Sequence, residues 1–149
     1  MSRKRKTEYE TDFYNWLIYS AKLIREKKFS EIDIEHLAEE IESVGASEKR
    51  EVRNRLAILI MHLLKWQFQA IKRSDSWRRT IANQRGAIEL VLQDSPSLRP
   101  KLPQFIEEAY PSAVYDAVED TGMIESIFPK TCPYTLQQIF DSGFFPGAA

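Results

Sequence analysis

The sequence predicts an all-α protein: an up-and-down bundle of four to five helices with an irregular C-terminal tail that docks on the bundle. Apolar residues recur every three or four positions through most of the 149-residue chain, which is the period of an amphipathic helix. Short breaks between these stretches favour antiparallel neighbouring helices. No stretch alternates apolar and polar residues as a half-buried strand does. We expect one domain, residues 1–149, with residues 1–8 flexible and residues 141–149 forming the tail.

Two amphipathic helices are predicted in the N-terminal third. Thr11 is the expected N-cap of the first helix, and Asp33 that of the second. Gly45 suits the position after the end of the second helix, because glycine accepts the left-handed backbone of a helix C-cap. The apolar stripe of the first helix consists of Phe13, Trp16, Leu17, Ser20, Leu23 and Ile24. The stripe of the second consists of Ile34, Leu37, Ile41 and Val44.

Two longer helices are predicted in the middle of the chain. Ser47 is the expected N-cap of the third, and Ser74 or Ser76 starts the fourth. Gly86 lies inside the fourth helix, where glycine costs about 1 kcal/mol relative to alanine, and close packing against another helix would explain it. The apolar face of the third helix consists of Val52, Leu56, Leu59, Ile60, Leu63 and Leu64. The residues expected to be largely buried include Trp16, Leu59, Leu63 and Trp77.

A fifth helix and a short sixth helix are predicted in the C-terminal third. The Pro-rich segment 95–103 breaks the periodicity, and the fifth helix follows it. Pro111 is expected to kink or split this helix, because proline lacks the backbone donor, and Gly122 is expected to end it. The fifth helix carries apolar residues at Phe105, Ile106, Ala109, Val114 and Val118.

The tail has its own predicted structure. Residues 128–134 are expected to be extended. Thr135 and Gln138 form the pattern of a capping box at the start of a last short helix, Leu136 to Phe140. Phe144 and Phe145 are too apolar for a solvated tail, so we expect them to dock on the bundle.

Charge is segregated along the chain, although the net charge is −1. Residues 31–51 carry eight acidic and two basic side chains, and residues 53–85 carry eight basic and one acidic. Residues 86–125 return to eight acidic and two basic. The simpler interpretation is that basic central helices pair with acidic neighbours inside the fold. The alternative is a basic surface for an anionic partner.

The candidate binding residues lie between positions 61 and 85. If the third and fourth helices pack antiparallel, these residues converge near the turn at 74–76. One interpretation is structural, with cations on the faces of indole rings, each contact adding about 0.5–2 kcal/mol, and with Glu39, Glu40 or Glu42 as their acidic partners. The other is a site for an anion or nucleic acid, since aromatic rings and cations together bind bases and phosphates. The candidate residues are His62, Lys65, Trp66, Trp77, Arg78 and Arg85.

No pattern of catalytic or cofactor-binding residues is complete in this sequence. Bundles that bind two metals use Glu-x-x-His, which does not occur here, so we expect no metal and no cofactor. Cys132 follows Lys130 and precedes a predicted helix, which could activate a thiolate, but a buried structural thiol is the simpler interpretation. The five glycines are not clustered, which excludes a P-loop. No apolar run is long enough to span a bilayer.

The residues that carry a family resemblance lie in ordered blocks along nearly the whole chain. They are YETDFYNWL at 9–17, LAEEIES at 37–43, MHLLKWQ at 61–67, SWR at 76–78, QR at 84–85, DSPSL at 94–98, FP at 128–129 and CPYTL at 132–136. These blocks resemble domain of unknown function 29, a largely bacterial family that is abundant in cyanobacteria. The resemblance implies an all-α fold and no particular activity. His36 and Pro103 depart from the family's usual residues.

The sequence therefore favours a non-enzymatic binding or regulatory module that acts through a protein partner or self-association. The alternative is a protein that associates with nucleic acid or another polyanion through the two central helices. A third hypothesis is a bundle enzyme that uses a metal or an acid–base pair such as Glu40 with His62. A lone cysteine, and a basic N-terminus followed by polar residues, lead us to expect a cytoplasmic location and no association with a membrane.

Overall fold

A computed structural model describes residues 8–147. Over this range the chain is helical and has no strand, which confirms the all-α bundle prediction. Residues 8–47 and residues 48–147 form two compact units. None of the helices in the described range combines the length and the apolar character that crossing a membrane requires. The α-helices are α1 (Glu8–Thr11), α2 (Phe13–Arg25), α3 (Ile34–Phe68), α4 (Asp75–Asp94), α5 (Leu102–Thr121) and α6 (Leu136–Phe140).

The first unit consists of α1, α2 and the beginning of α3. The predicted N-cap of α2 was wrong: Thr11 ends α1, and the Asp12 carboxylate caps α2 by accepting a hydrogen bond from the Asn15 backbone N–H at 3.1 Å. Aspartate caps well because its oxygen satisfies a donor that has no partner within the helix. The expected flexibility of residues 1–8 falls outside the described residues except at Glu8, which begins α1. The buried residues of α2 are Trp16, Ser20 and Leu23.

The second and third predicted helices are one continuous helix. Asp33 caps its start, as expected, by accepting a hydrogen bond from the His36 backbone N–H. The predicted end at Gly45 and the predicted cap at Ser47 were wrong, because α3 runs unbroken from Ile34 to Phe68. Gly45 does not have the positive φ of a C-cap glycine. A single glycine costs a helix only about 1 kcal/mol, and the Ala, Glu, Lys and Arg residues around it are strong helix formers.

The second unit contains three long helical segments that run up, down and up. As residue numbers rise along α3, the residues that they contact on α4 have falling numbers, so α3 and α4 are antiparallel. The residues that α3 contacts on α5 have rising numbers, so α3 and α5 are parallel. The α3–α4 pairs are Glu48 with Ser95, Arg55 with Gln84 and Lys65 with Trp77. The α3–α5 pairs are Arg53 with Glu108 and Lys65 with Asp120.

The core of this unit contains the apolar face that the sequence predicts for α3. Leu59 and Leu63 are fully buried. Trp77 was expected to be largely buried and is only partly so, because its ring lies at the margin of the core beneath the Lys65 ammonium. The explanation offered for Gly86 was also wrong: no atom lies within 4 Å of the place where its Cβ would be, so no close helix packing requires a glycine there.

The C-terminal third largely follows the prediction. α5 passes through Pro111 without being split, and Gly122, with φ 71°, ends it. Thr135 and Gln138 form the predicted capping box of α6, with hydrogen bonds of 2.9 and 3.1 Å. Phe144 and Phe145 pack against the core, which confirms docking of the tail as far as residue 147.

Candidate functional site

The end of α3 and the start of α4 bring most of the predicted site residues together. Lys65 and Trp66 lie in the last turn of α3, and Trp77 and Arg78 lie in the first turn of α4. Ser74 caps α4 by accepting a hydrogen bond from the Trp77 backbone N–H at 3.2 Å. We use the name cation–indole cluster for two neighbouring groups of contacting side chains. One is Lys65 with Trp77, and the other is Trp66 with Arg73, Arg78, Arg85 and Phe145.

Lys65 is a buried cation with a carboxylate partner. Its side chain is only 6% exposed, and its ammonium forms an ion pair with Asp120 of α5. The same ammonium lies 4.5 Å from the centroid of the Trp77 ring. The hydrogen bond from Lys65 holds the pKa of Asp120 below its usual range, so the carboxylate stays ionised. The acidic partner that the chain uses is therefore not among those expected from the sequence, Glu39, Glu40 and Glu42.

Two arginines lie over the indole ring of Trp66. The guanidinium of Arg73 is 5.1 Å from the ring centroid, and that of Arg78 is 4.9 Å from it. Arg78 also lies 4.8 Å from the ring of Phe145, which itself packs on Trp66 with centroids 4.9 Å apart. Arg73 donates hydrogen bonds to the backbone oxygens of Trp66, at 2.7 Å, and Gly147, at 3.2 Å. These arginines thus connect the α3–α4 turn to the tail.

Arg85 makes a third connection to the tail. It is 7% exposed and donates hydrogen bonds to the carbonyl oxygens of Ile139 at 2.7 Å and Phe144 at 2.9 Å. Burial lowers the pKa of its guanidinium, and no aqueous pH removes the charge. The Ile139 oxygen belongs to the last turn of α6, where a cation is favourable because the carbonyls there have no partner within the helix.

His62 lies beside the cluster but has its own hydrogen bond. Its Nδ1 donates to the Ile58 carbonyl one helical turn earlier, at 2.9 Å. Burial lowers the pKa of His62, and the neighbouring Lys65 ammonium acts in the same direction. The ring is therefore neutral at pH 7, with its other nitrogen as an acceptor. Of the predicted site residues, His62 is the one that makes no direct contact with the rings and cations of the cluster within the described interactions.

Trp66 contains an unsatisfied donor. Its indole Nε1 is buried and has no hydrogen-bond acceptor among the described residues. The polar groups stacked on this ring belong to Arg73 and Arg78, which are donors only. A buried N–H without a partner costs about 1–3 kcal/mol. The cluster therefore has cations and one indole N–H but lacks an acceptor at this point.

The family model for the domain of unknown function DUF29 matches residues 8–145. The chain belongs to this family. The match covers nearly the whole chain, in agreement with the resemblance that the sequence blocks indicate. No curated protein and no solved structure matches the chain, so membership of the family identifies no activity.

This DUF29 chain also has a groove that its sequence did not indicate. The groove lies between α5 and the segment before α6, and its volume is about 490 Å³. Cys132 lines it together with Ile106 and Tyr110. Burial raises the pKa of the Cys132 thiol, whose hydrogen bond goes to the Tyr134 carbonyl at 3.7 Å. A protonated thiol is a poor nucleophile, so the groove does not form a thiolate site.

The remaining polar candidates of the DUF29 chain are engaged locally. Glu40 accepts a hydrogen bond from the Tyr9 hydroxyl at 2.6 Å, and the Tyr9 ring stacks on His36 with centroids 4.0 Å apart. His36 Nδ1 bonds to Asp33 at 2.6 Å, which raises the pKa of His36. Within residues 8–147 no group of three or more His, Cys, Asp or Glu side chains is arranged to hold a metal ion.

Proposed function

We propose that this protein is a non-enzymatic binding module and that a protein partner docks on the apolar residues of its first unit. The observation that carries this proposal is the distribution of exposed apolar side chains. Residues 8–47 hold nine of the fifteen exposed large apolar residues, although they make up less than a third of the described chain. These nine are Phe13, Tyr14, Ile18, Tyr19, Ile24, Phe29, Ile34, Ile41 and Val44.

The small core of the first unit supports the same proposal. Its buried residues within the described range are Trp16, Ser20 and Leu23, whereas the core of the second unit contains 23 buried apolar residues. A unit of about 40 residues rarely buries enough apolar surface to be stable without a partner, a metal or disulfides. Concentrated exposed apolar residues are typical of interaction surfaces. A protein partner would remove this surface from water.

The apolar stripe of α3 offers a clean test, because its residues are exposed. Ile34, Ile41 and Val44 are each about two-thirds exposed, so replacing all three with Gln should change stability little. The matched control replaces three apolar residues of the second unit that are about as exposed or more so: Ile71, Leu90 and Ile124. Parent, stripe variant and control are used to capture proteins from the native host, and the bound proteins are quantified by mass spectrometry.

We expect parent and control to retain the same protein and the stripe variant to lose it by about tenfold or more, which corresponds to about 1.4 kcal/mol. Retention that is equal for all three would contradict the proposal. If the parent dimerises and the stripe variant does not, the proposed docking surface is supported and the partner is a second copy of the chain. A cytoplasmic location, and an origin in bacteria, remain part of this proposal.

Association with a polyanion is the second candidate, and one observation favours it. The buried Nε1 of Trp66 has no acceptor among the described residues, and two groups of donors, the guanidiniums of Arg73 and Arg78, lie over the same ring, so an acceptor is what this part of the cluster lacks. Lys65 and Arg85 already have partners inside the protein, so fewer cations are available than the sequence suggests. Phosphate should raise the melting temperature of the parent but not of Arg78→Gln. A parent that is indifferent to phosphate contradicts this candidate.

A further inference from the structure

The two units differ in charge as well as in apolar exposure. The first unit carries ten acidic and eight basic side chains, a net charge of −2. All ten acidic side chains lie within residues 8–47, where the net charge is −6 because four of the basic residues, Arg3 to Lys6, precede this range. Residues 48–147 carry twelve acidic and thirteen basic side chains, a net charge of +1. Most of the exposed apolar side chains thus lie in residues 8–47, the acidic part of the first unit. A partner that docks there meets a negative potential.

The first part of α3 combines both properties on adjacent stripes. Ile34, Ile41 and Val44 follow one another at intervals of seven and three residues, and therefore share one side of the helix. Ile34 and Ile41 are each followed directly by an exposed carboxylate, Glu35 and Glu42 respectively. A shift of one residue turns the helix by about 100°, so Glu35 and Glu42 lie about 100° around the helix from Ile34 and Ile41. Glu39 shares the side of Glu35 and Glu42 and lies farther from the apolar residues. The acidic stripe consists of Glu35, Glu39 and Glu42.

The acidic stripe has no ion-pair partner among the described residues. The acidic groups that do have partners in this region are Asp33, bound to His36, and Glu40, bound to Tyr9. The stripe therefore offers its charge to solvent or to a partner. From Ile34 to Val44 the two stripes extend for about 15 Å, since a helix rises about 1.5 Å per residue. A second helix that packs against α3 could contact it over this whole length.

We propose that the occupant of this surface is a cationic amphipathic helix of another protein, with its apolar side on Ile34, Ile41 and Val44 and its Lys or Arg residues beside Glu35, Glu39 and Glu42. This inference rests on the proposed function, because it names the partner of the same surface. Charge complementarity selects this occupant over a second copy. Two copies that face each other through this side of α3 would bring the carboxylates of Glu35, Glu39 and Glu42 together, which disfavours association. Recognition of an amphipathic helix by an apolar surface is a common mode of protein binding.

The test uses three synthetic peptides of about 18 residues, or about 27 Å as helices. The first has Leu at helical spacing and Lys elsewhere. The second has the same Leu positions with Glu in place of Lys. The third has the Leu and Lys residues of the first in an order without helical periodicity. Affinity is measured by titration calorimetry at low and high salt with the whole chain.

We expect the Leu/Lys helix to bind at least about tenfold more tightly than either of the other peptides, because only this peptide complements both stripes. Rim charges mainly add salt-dependent attraction, so high salt should weaken its binding. Replacing Glu35, Glu39 and Glu42 with Gln should reduce the affinity by about tenfold, since exposed ion pairs contribute modestly and additively. A charge-matched control on the second unit, D116N with E119Q and E125Q, should leave the affinity unchanged.

Three outcomes would overturn the inference. They are equal binding of the Lys and Glu helices, equal loss of affinity in the acidic-stripe variant and its charge-matched control, and binding of the aperiodic peptide as tightly as the helix. None of these outcomes affects the proposed function, which is tested by the apolar-stripe variant in the capture experiment. If that variant captures its protein normally, the proposed function fails whatever the peptides do. If the apolar-stripe variant loses a protein and the Leu/Lys helix does not bind the chain, the docking surface is supported and the proposal of a cationic partner is wrong.

Discussion

At the scale of single residues, the cations of the cation–indole cluster have different tasks. Lys65 neutralises Asp120 and lies against the Trp77 ring. Arg85 binds carbonyl oxygens at the end of α6 and in the tail. Arginine suits the second task, because its fork of donors can satisfy several oxygens at once. The cluster therefore contributes to holding the tail on the helices, whatever else binds there.

Replacing Arg85 with Gln should destabilise the protein by about 2 kcal/mol or more. The change leaves buried carbonyl oxygens of Ile139 and Phe144 without donors, and hydrogen bonds to charged groups contribute about 1.5–3 kcal/mol each. R85K should recover only part of the loss, because a lysine ammonium cannot reproduce the guanidinium geometry. Arg79, which is exposed on the same helix, is the control: R79Q should change the free energy of unfolding, measured in urea, by less than about 0.5 kcal/mol. Equal effects of R85Q and R79Q would contradict this role of Arg85.

The two histidines should give opposite pH dependences of stability. Burial lowers the pKa of His62 in the folded protein, so the unfolded chain binds the proton more readily and stability falls as the pH drops below about 6.5. The bond to Asp33 raises the pKa of His36, so His36 adds stability below its ordinary pKa, and this stability is lost as the pH rises through the raised value.

The melting temperature of each variant, measured between about pH 7 and pH 5.5, separates the two histidines. On acidification the melting temperature of H62Q should fall less than that of the parent, because H62Q lacks the partly buried imidazole whose protonation disfavours the folded state. The melting temperature of H36Q should fall more than that of the parent, because H36Q lacks the imidazole that binds Asp33 and adds stability at low pH. Identical slopes for the parent and both variants would show that neither pKa shift persists in solution.

At the scale of helices, glycine positions explain where the sequence-based prediction succeeded and where it did not. Gly122 was expected to end a helix and does so with the left-handed backbone that glycine permits. Gly45 was expected to end one and instead lies inside α3. Each glycine follows an amphipathic helical stretch, so the residues before it do not separate the two cases. The residues after each glycine differ, since residues 46–56 are good helix formers and residues 123–135 are not.

Alanine at Gly45 and at Gly86 should stabilise the protein by up to about 1 kcal/mol each. Nothing lies within 4 Å of the added Cβ at either position, and alanine loses less backbone entropy than glycine in a helix. G122A is the matched control, and it should destabilise by about 1 kcal/mol, because φ is 71° there. Thermal and urea unfolding measure all three. A loss of stability in G45A would indicate that the helix is not continuous at this position.

At the scale of the whole molecule, the sequence predicted the helical class, the core face of α3 and the docked tail. It also predicted that these ends of α3 and α4 would meet, because antiparallel packing follows from the short turn between them. Their contacts are two separate pairs, Lys65 with Trp77 and Trp66 with Arg78. It did not predict Asp120 as the partner of Lys65, since that pair depends on the placement of α5. Whether an apolar stripe is buried also depends on tertiary contacts, so the stripe of Ile34, Ile41 and Val44 could not be recognised as exposed from its spacing.

We expect a protein partner to bind the first unit and not the cation–indole cluster. Hydrogen–deuterium exchange of the chain, alone and with the protein that it captures, tests this directly, because amides covered or rigidified by a partner exchange more slowly. We expect new protection in α2 and in the part of α3 before residue 48, with the exchange of residues 61–85 unchanged. New protection confined to residues 61–85 would contradict this expectation and would make the cation–indole cluster the binding site.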